Sequence, residues 1–298
     1  MIRYNLKPML KKYGITQTEL MKKLHISSTT MAKFKKNEPV SLTVIDAICT
    51  ELGCSISDLI TIERQNSILL QRFLDEKKIK LSNGLYHEVQ ILFAYNSNRI
   101  EGSKLSKDET RYIYETNTID GTKNVNDIIE MVNHFKCFDY MLDSIMEPLS
   151  ERLIKEYHRI LKSNTADSNL DWFAVGDYKK AANTVGGLET CKPEQVSENI
   201  RNLLYWYDNL EEITLEHITD FHFRFERIHP FQDGNGRVGR LILFRECLRN
   251  NIIPFIVDES HKMYYYRGLS EYNSEKGYLI GTFESAQDEF SRLIKTYE

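Results

Sequence analysis

The sequence predicts a mainly α-helical protein with two parts, a small N-terminal helical domain and a larger helical domain that contains one β-hairpin. Amphipathic segments, with apolar residues at helical spacing, cover most of the 298 residues. Residues 175–188 instead combine three glycines with short alternating stretches, which is typical of a hairpin. Residues 1–60 hold nine basic and five acidic residues, and the remainder holds 30 basic and 38 acidic residues, so charge divides the chain in the same way.

Composition argues against several classes of protein. The longest apolar runs, such as residues 91–95, are far shorter than the roughly 20 residues of a membrane span, and no signal-peptide pattern is present. The five cysteines are scattered and contain no CxxC pair, which argues against a disulfide framework and a zinc site. We therefore expect a cytoplasmic protein with reduced thiols and no membrane contact.

Residues 1–62 are predicted to be a small all-α domain of short helices. The residues predicted to cap these helices at their N-termini are Thr16, Ser27, Ser41 and Ser55. Leu20, before a three-residue turn, can pack against Met31 and Phe34 after it. This spacing resembles the helix-turn-helix of Cro and phage repressors.

The helix-turn-helix resemblance implies that residues 27–36 form the recognition helix. The residues that it would present to a DNA major groove are Gln17, Ser28, Thr29, Thr30 and Lys33. The residues that would contact phosphates are Lys22, Lys23, Lys35 and Lys36. The alternative is a dimerisation domain whose lysines are only solvated.

Residues 63–84 are predicted to form a connecting helix that ends in a polar turn, and residues 85–298 form the larger domain. Within it, a helical pattern ends near Ile228 and another begins after Gly236. The segment IHPFQDGNGRVGRL, which starts at Ile228, is therefore a junction between two helices.

This junction has the composition of an anion site. Its glycines allow a turn that directs several N–H groups at one point, and the second helix adds its positive end. Asn235, Arg237 and Arg240 supply further donors, which suits a di- or triphosphate better than a single phosphate. Asp233 among phosphates indicates a bridging Mg²⁺, and His229 can take a proton from a hydroxyl. The residues predict phosphoryl or nucleotidyl transfer to an alcohol.

The same residues resemble the signature of the Fic family, His-x-Phe-x-(Asp/Glu)-Gly-Asn-Gly-Arg-x-x-Arg. The matching positions are His229, Phe231, Asp233, Gly234, Asn235, Gly236, Arg237 and Arg240. The resemblance implies a helical core with a hairpin flap, and transfer of AMP from ATP to a Ser, Thr or Tyr hydroxyl of a target protein. It also implies that His229 is the general base, that Asp233 binds Mg²⁺ or Mn²⁺, and that Phe231 anchors the loop.

The resemblance also assigns the contacts to nucleotide and target. The residues expected at the phosphates are Gly234, Asn235, Gly236, Arg237 and Arg240, with the last at the γ-phosphate. The glycines and the first arginine are of the AMP-transferring type and not of the phosphate-transferring Doc type. The hairpin at about 175–188 would be the flap that aligns a target segment, and the alternative is a hairpin that only covers the nucleotide.

The segment HKMYYYRGL resembles the part of the family that lies near the adenine. Tyr264, Tyr265 and Leu269 are the candidates for stacking on a purine, and Tyr265 is the one predicted to bind the nucleotide. Aromatic clusters are also common in cores, so a structural role is the alternative.

A second motif lies on a helix predicted at about 86–102. Ser97-x-x-x-Glu101-Gly102 resembles the inhibitory helix of the Fic family, (Ser/Thr)-x-x-x-Glu-(Gly/Asn). A glutamate at a helix C-terminus is unfavourable unless a basic group meets it, and in the family that group is the second arginine, here Arg240. Such a pair would block the seat of the γ-phosphate. The alternative is a surface glutamate before a glycine cap.

Other histidines and aromatic residues are expected to have structural roles. His134 and His158 lie in helical segments, where a hydrogen-bonded core role is usual. Asn133 and His222 are candidates for supporting the active-site loop. Trp172 and Trp206 are expected in the core.

These observations predict a protein adenylyltransferase that is autoinhibited by Glu101 and carries a DNA-binding module. The expected substrate is ATP, and the expected partners are a target protein, DNA and, as an open alternative, a second copy of the chain. A competing hypothesis is a DNA-binding transcriptional regulator in which the Fic domain senses nucleotide or forms oligomers. A third is a toxin, or its own antitoxin.

Overall fold

The computed structural model describes residues 2–62, 65–185 and 188–298. These residues form 15 α-helices, one 3-10 turn and two short antiparallel ribbons, which confirms the predicted mainly α fold. The chain divides into two compact units, Met1–Ile68 and Leu69–Glu298. The predicted connecting segment, residues 63–84, lies partly outside the described residues.

The first unit is built from short, capped helices. They are α1 (Leu6–Tyr13), α2 (Gln17–Leu24), α3 (Ser28–Lys36), α4 (Leu42–Leu52) and α5 (Ile56–Leu59). Thr16 and Ser55 form capping boxes, and Ser27 accepts a hydrogen bond from the Thr30 N–H. Ser41 occupies the N-cap position of α4 without a side-chain bond. Leu20, Met31 and Phe34 are buried in one core, as the pattern predicted.

A two-stranded ribbon that the sequence analysis did not predict closes this unit. Strand β1 (Ile2–Tyr4) pairs antiparallel with β2 (Ile60–Ile62). The Tyr4 ring packs edge-on against Phe34, with centroids 4.7 Å apart, and this contact joins the ribbon to α3. Strands of three residues are too short to show a period of two, so the sequence carried no usable signal.

The second unit contains the remaining helices and one hairpin. The helices are α6 (Gln65–Ile79), α7 (Leu85–Ile100), α8 (Lys107–Thr116), α9 (Val125–Asp143), α10 (Glu151–Lys162), α11 (Pro193–Asp208), α12 (Leu215–Ile228), α13 (Asn235–Arg249), α14 (Lys262–Glu271) and α15 (Gly277–Thr296). A 3-10 turn spans Ala166–Asn169. The α6 helix begins before the boundary between the two units.

The hairpin is shorter than predicted. Strands β3 (Thr184–Val185) and β4 (Leu188–Glu189) pair antiparallel, and Gly186 and Gly187 between them lie outside the described residues. Gly176 has φ +76°, a conformation that glycine adopts at little cost, and it turns the chain well before the strands. Residues 176–183 are irregular because their polar groups bond the active-site loop, as the site geometry below describes.

The α13 helix is buried on almost every side, against α7, α9, α10 and α12. Val238 and Leu241 lie in the core, as their spacing predicted. The pattern did not predict that Arg237, Arg240 and Arg245 are buried as well. A helix that is buried all round has no amphipathic signal, and its charged residues must therefore find partners inside the protein.

Arg245 illustrates this requirement. Its guanidinium pairs with Glu246 and donates to the carbonyl oxygens of Ser144 (3.2 Å), Ile145 (3.3 Å) and Glu147. These carbonyls follow α9, so the buried charge ties α13 to the end of a neighbouring helix.

The two tryptophans differ in how deeply they are buried. Trp206 is partly buried against the core and carries the Arg224 guanidinium 4.1 Å above its ring. Trp172 is 51% exposed, so the prediction that it lies in the core was wrong. Its neighbour Phe173 takes the inward position beside His158, which leaves Trp172 at the surface.

The five cysteines are free thiols in the structure, with Cys137 and Cys247 buried. Nowhere in the described residues does a helix have both the length and the apolar character that a bilayer crossing requires.

We expect Arg245→Ala to lower the free energy of unfolding of the second unit by about 3–5 kcal/mol, because Glu246 would stay buried without its counter-ion. Tryptophan fluorescence during urea unfolding would measure this loss, since Trp172 and Trp206 both belong to the second unit. Arg249→Ala, at the exposed end of the same helix, is the control and should change stability by less than about 0.5 kcal/mol. Equal losses in the two variants would contradict the role given to Arg245.

Candidate active site

The candidate active site lies where α12 ends and α13 begins. His229 terminates α12 in a left-handed conformation, φ +50°, and its N–H donates to the Phe225 carbonyl at 2.9 Å. Gly234, with φ +83°, precedes α13 in a conformation that favours glycine. These two turns place His229 and the first turn of α13, at Gly236, in the wall of one cavity.

Asn235 closes the loop between the two helices. Its side-chain carbonyl accepts the Phe231 N–H at 2.8 Å, and its amide donates to the Phe231 carbonyl at 2.8 Å. Phe231 is fully buried, in agreement with its expected role as an anchor. The expectation that the Asn235 side-chain amide donates to phosphate does not fit this geometry, because both ends of the amide are engaged with the loop.

His158 supports the loop from α10. Its ring stacks on Phe231 with centroids 4.0 Å apart and planes within 6°. Its Nδ1 accepts the Gly176 N–H at 3.0 Å, so its Nε2 carries the proton and donates to the Asp233 carbonyl at 3.1 Å. Burial lowers the pKa of His158 to about 3, and the ring is therefore neutral at physiological pH. This core histidine thus shapes the active-site loop, a role that the sequence did not reveal.

Asp233 is held by two cations. The Lys162 ammonium lies 2.7 Å from its Oδ2, and Arg237 Nη2 lies 3.0 Å from the same atom. Lys162 also contacts Glu130 at 2.6 Å and Asp167 at 3.0 Å, so one buried ammonium joins three carboxylates. Its side chain is 1% exposed.

These contacts fix the charges of the cluster. Burial raises the pKa of Asp233, but the neighbouring Arg237 and Lys162 outweigh burial and hold that pKa well below its usual range. Burial likewise lowers the pKa of Lys162, but the carboxylates of Asp233 and Glu130 outweigh it and raise that pKa. The carboxylate and the ammonium are therefore both ionised at physiological pH.

The cluster bears on the expected metal ion. The carboxylate oxygens of Glu130, Asp167 and Asp233 lie within 4.8 Å of one another, but the Lys162 ammonium already contacts all three groups. The Asp233 side chain is 48% exposed, so part of its carboxylate faces solvent. A single open carboxylate fits Mg²⁺, which usually takes one or two protein carboxylates and completes its shell with phosphates and water.

Arg237 is not free. Its Nη1 contacts Glu130 Oε2 at 2.5 Å and Asn98 Oδ1 at 3.5 Å, and its Nη2 contacts Asp233. The guanidinium is therefore held by α9, α7 and the active-site loop together. An anion that binds Arg237 must therefore displace these acceptors or bind the guanidinium together with them.

Arg240 is enclosed by the end of α7. Its Nη2 donates to Glu101 Oε1 at 2.6 Å and to the Ser97 carbonyl at 2.9 Å, while its Nε donates to Ser97 Oγ at 3.1 Å. Gly102, with φ +100°, lets the chain turn away directly after Glu101. The structure therefore brings Ser97 and Glu101 to the arginine that the sequence analysis named.

Glu101 also lies against the first turn of α13. A Cβ atom added to Gly236 would be 2.3 Å from Glu101 Oε1, which is too short for a contact between non-bonded atoms. The glycine thus permits the carboxylate to approach the positive end of the helix. An inhibitory carboxylate and an anionic ligand would compete for this position.

His229 has the properties of a base. Burial, and then the charge of Lys179, lower its pKa to about 4, so the imidazole is neutral at physiological pH. Its side chain is 15% exposed, and its Nδ1 has no hydrogen-bond partner in the part of the chain that the structure describes. The Oε2 atom of Glu226 lies 3.9 Å from Nδ1.

Lys179 joins the hairpin to the active-site loop. Its ammonium donates to Asn183 Oδ1 at 2.8 Å, Thr190 Oγ1 at 2.6 Å and the Ile228 carbonyl at 3.4 Å. Its N–H donates to the Pro230 carbonyl at 2.9 Å. Burial without a carboxylate partner lowers the pKa of Lys179 to about 8. The base of the hairpin is therefore fastened beside His229, which explains why residues 176–183 are not strand.

A cavity of about 790 Å³ opens beside these residues. Its walls include His229, Arg240, Tyr265, Tyr266 and Leu269. Tyr265 is 1% exposed, and its hydroxyl lies 2.8 Å from His222 Nε2, so it forms part of the wall. Tyr264 is exposed and is not part of this lining, which leaves Tyr266 as the more open ring.

The other candidates for supporting the loop act elsewhere. Asn133 donates to the carbonyls of Leu161 and Ser163 at the end of α10, and His222 pairs with Tyr265. His134 is buried, as expected, but neither ring nitrogen has a hydrogen-bond partner within the described ranges. Its expected hydrogen bond is therefore not found.

In the first unit, the predicted DNA contacts have different degrees of exposure. Ser28, Thr29 and Lys33 are exposed on α3, whereas Gln17 and Thr30 are half-buried. Thr30 Oγ1 lies 3.0 Å from Ser27 Oγ, so this hydroxyl takes part in the cap of α3.

Several residues of the site escaped sequence analysis. They are Glu130, His158, Lys162, Lys179 and Glu226. Lys162 had a visible signal, because it follows Leu161 and lies four residues after His158 on the apolar face of α10. A lysine on an apolar stripe usually needs a buried partner.

Comparison with known proteins matches both parts of the chain. Residues 148–246 match the Fic/DOC family, and residues 5–65 match the Cro/C1-type HTH DNA-binding domain. Protein adenylyltransferase fic-1 of Caenorhabditis elegans is 26% identical over 192 residues, which cover 62% of this chain and 37% of that protein. Protein adenylyltransferase Fic of Aedes aegypti is 28% identical over 193 residues, which cover 62% of this chain and 38% of that protein. The chain thus matches less than two fifths of the length of these relatives.

Solved structures share the fold. A Fic domain containing signaling protein from Bacteroides thetaiotaomicron superposes with a TM-score of 0.62 at 22% identity, over 76% of this chain and 94% of that chain. Fic-1 from C. elegans gives a TM-score of 0.60 at 22% identity, over 77% of this chain and 71% of that chain. Together with the matched motifs, these likenesses lead to one conclusion: the chain contains a Fic/DOC domain and a Cro/C1-type helix-turn-helix domain.

Proposed function

We propose that this protein is an adenylyltransferase that transfers AMP from ATP to a hydroxyl group of a target protein, and that Glu101 holds it in an inhibited state. The observation that carries the proposal is the contact of Arg240 with Glu101 and Ser97 in the same cavity wall as the neutral base His229. The names of the relatives, protein adenylyltransferases, support this choice of reaction.

The reaction follows from the groups in the cavity. His229 Nε2 accepts the proton of the target hydroxyl, whose oxygen forms a bond to the α-phosphorus. The bond from the α-phosphorus to the oxygen that bridges to the β-phosphate breaks, and pyrophosphate leaves with that electron pair. The first turn of α13 and Arg237 and Arg240 stabilise the charge on the phosphates.

Asp233 would hold the Mg²⁺ or Mn²⁺ ion, which neutralises phosphate charge when it is bound. In this chain Lys162 and Arg237 keep the Asp233 carboxylate ionised and fixed. Lys179 places the hairpin beside His229, so an extended target segment that pairs with a hairpin strand would present its hydroxyl there.

The inhibition is a competition between anions. The Glu101 carboxylate already neutralises Arg240 and lies at Gly236, where the proposed ligand would bring phosphate oxygens. A triphosphate that enters must either displace Glu101 or bind with its γ-phosphate away from Arg240. The second pose misplaces the α-phosphorus relative to His229.

A second function is proposed for the first unit. Ser28, Thr29 and Lys33 are exposed on α3, the helix at the recognition position, and residues 1–60 are net basic, with nine basic and five acidic residues, in a chain whose net charge is −4. We propose that this face binds duplex DNA. A regulator without catalysis, the competing hypothesis, would not need the neutral, buried base that His229 provides.

Glu101→Gly is expected to raise AMP incorporation into protein at least about tenfold, because it frees Arg240. Incubation with Mg²⁺ and α-³²P-labelled ATP, alone and with cell lysate, followed by a denaturing gel, would measure it. Glu101→Gly/His229→Ala should lose the label. Glu259→Gly removes an exposed carboxylate that pairs with Arg99 of α7 and should stay at the level of the unmodified chain. Equal labelling in Glu101→Gly and Glu259→Gly would contradict the inhibition.

Lys162→Met should lower the free energy of unfolding at pH 7 by about 3–5 kcal/mol, because three carboxylates would share only the Arg237 guanidinium. Loss of the ammonium raises the folded-state pKa values of these carboxyl groups, so the lost stability returns as the pH falls towards 4. In the unmodified chain the pH dependence is the reverse. The folded-state pKa of Asp233 is lowered, so this carboxylate stabilises the fold at neutral pH, and that stability is lost as the pH falls through the lowered pKa.

Urea unfolding at pH 7.5 and at pH 4.5 would measure the effect of Lys162→Met. Lys155→Met, on the same helix, removes a lysine that pairs with exposed Asp177 and is the control. Its effect should stay below about 1 kcal/mol. A loss of stability for Lys162→Met that does not shrink at the lower pH would argue against the carboxylate cluster as its cause.

Lys35→Ala, which removes an exposed lysine of α3, should weaken binding to a mixed-sequence DNA duplex and reduce the magnitude of the salt-dependence slope by about 1, because one proposed phosphate contact is lost. Fluorescence anisotropy titrations between 50 and 200 mM salt, roughly the range in which such contacts dominate, would measure both. Lys7→Ala, an exposed lysine of α1, should leave affinity and slope unchanged. If the duplex does not bind the unmodified chain, the DNA proposal is wrong.

A further inference from the structure

Glu226 lies one helical turn before His229, and its side chain lines the same cavity. The Glu226 Oε2 atom is 3.9 Å from His229 Nδ1, slightly beyond hydrogen-bond distance. His229 Nδ1 and Glu226 Oε1 are both buried, and neither has a hydrogen-bond partner among the residues described. Buried polar groups without partners are rare in native proteins, so we expect this pair to have a function.

The packing leaves room for the Glu226 carboxyl group. A Cβ atom added to Gly239 of α13 would be 2.6 Å from Glu226 Oε1 and 2.9 Å from His222 Cε1. The absence of a side chain at Gly239 therefore lets the carboxyl group lie between α12 and α13. The packing of these two helices therefore fixes the Glu226 carboxyl group, which is not an exposed group that lies near His229 by chance.

The charges around Glu226 favour its neutral form. Burial raises the pKa of Glu226 to about 8, Arg240 on α13 opposes this, and Glu101 at the end of α7 adds to it. The charged groups that act on His229 are Lys179, Glu101 and Asp233. With Glu101 in place, Glu226 is thus mainly a neutral acid at pH 7.

The protonation state of Glu226 matters because it selects the tautomer of His229. A neutral carboxyl group donates its O–H to Nδ1, which leaves the imidazole proton on Nε2, so Nε2 cannot act as a base. A carboxylate instead accepts a hydrogen bond from Nδ1–H and leaves the Nε2 lone pair free. The same logic makes the buried aspartate important in the serine protease triad.

We propose that Glu226 is a positioning residue that sets the tautomer of His229, and that the charge of Glu101 keeps Glu226 in the form that disables the base. The inference rests on the proposed function, since it concerns the base of that reaction. Movement of Glu101 would then have two effects. It frees Arg240 for phosphate, and it removes the negative charge that disfavours the Glu226 carboxylate.

The tautomer can be measured without any activity. In full-length chain labelled with ¹⁵N-histidine, the His229 signals are identified by their loss in His229→Ala. At pH 7 we expect the proton on Nε2 in the unmodified chain, on Nδ1 in Glu101→Gly, and back on Nε2 in Glu101→Gly/Glu226→Gln, whose amide donates to Nδ1. If the proton stays on Nδ1 in Glu101→Gly/Glu226→Gln, as in Glu101→Gly, another acceptor such as the Glu226 backbone carbonyl sets the tautomer, and the inference is overturned.

Kinetics supply the second test. In the Glu101→Gly background, Glu226→Gln should lower kcat for AMP transfer about 10- to 100-fold and leave KM for ATP within about twofold. Glu226→Asp should restore part of kcat, because it restores a carboxylate. Glu216→Gln, an exposed glutamate of α12, should change neither constant.

The two hypotheses fail in different ways. If Glu101→Gly transfers no AMP, the proposed function fails, and the imidazole signals still decide whether Glu226 sets the tautomer. If Glu101→Gly is active and Glu226→Gln is as active as Glu216→Gln, the proposed function stands and the inference about Glu226 fails.

Discussion

The arrangement of the second unit depends on one constraint, that the three buried arginines of α13 each need a carboxylate inside the protein. Arg245 meets Glu246, Arg237 meets Glu130 and Asp233, and Arg240 meets Glu101. A buried guanidinium without a counter-ion would cost several kcal/mol, so these pairs decide which helices can surround α13. Glu246 is on α13 itself, and the other carboxylates come from α9, from the end of α7 and from the active-site loop, which are the segments that form the site.

This constraint also explains how the inhibited form of the proposed enzyme can be stable and still be ready to bind an anion. The carboxylate of Glu101 and the phosphates of the proposed substrate satisfy the same arginine, so exchange of one for the other does not leave the guanidinium buried and unpaired. The difference in free energy between the two arrangements can then be small, within the few kcal/mol typical of regulatory equilibria. Arg237, held by both Glu130 and Asp233, keeps the helix anchored during such an exchange.

Much of this structure was readable from the sequence, for identifiable reasons. Helical period and N-caps predicted the fold class. The two motifs named Glu101, His229 and Arg240, which the structure places around one cavity, and Ser97, which accepts a hydrogen bond from Arg240. The ribbon of the first unit was missed because three-residue strands carry no period. The position of Lys162 on the apolar face of α10 indicates a buried partner but does not identify Asp233, which is 71 residues away. Glu226 was missed because a protonation state set by burial leaves no local pattern. Asn235 shows a third limit, since its residue type fitted a phosphate donor but its amide closes the loop.

The glycine at position 236 has an evolutionary consequence. Because Glu101 lies against this residue, any side chain there would evict the carboxylate, yet the same side chain would fill the space that the proposed substrate needs. Mutations at this position therefore cannot separate loss of control from loss of activity. In the proposed enzyme, changes on the α7 side of the contact, such as at Glu101, can weaken inhibition without changing the loop, so selection can tune regulation there while the residues of the proposed chemistry stay fixed.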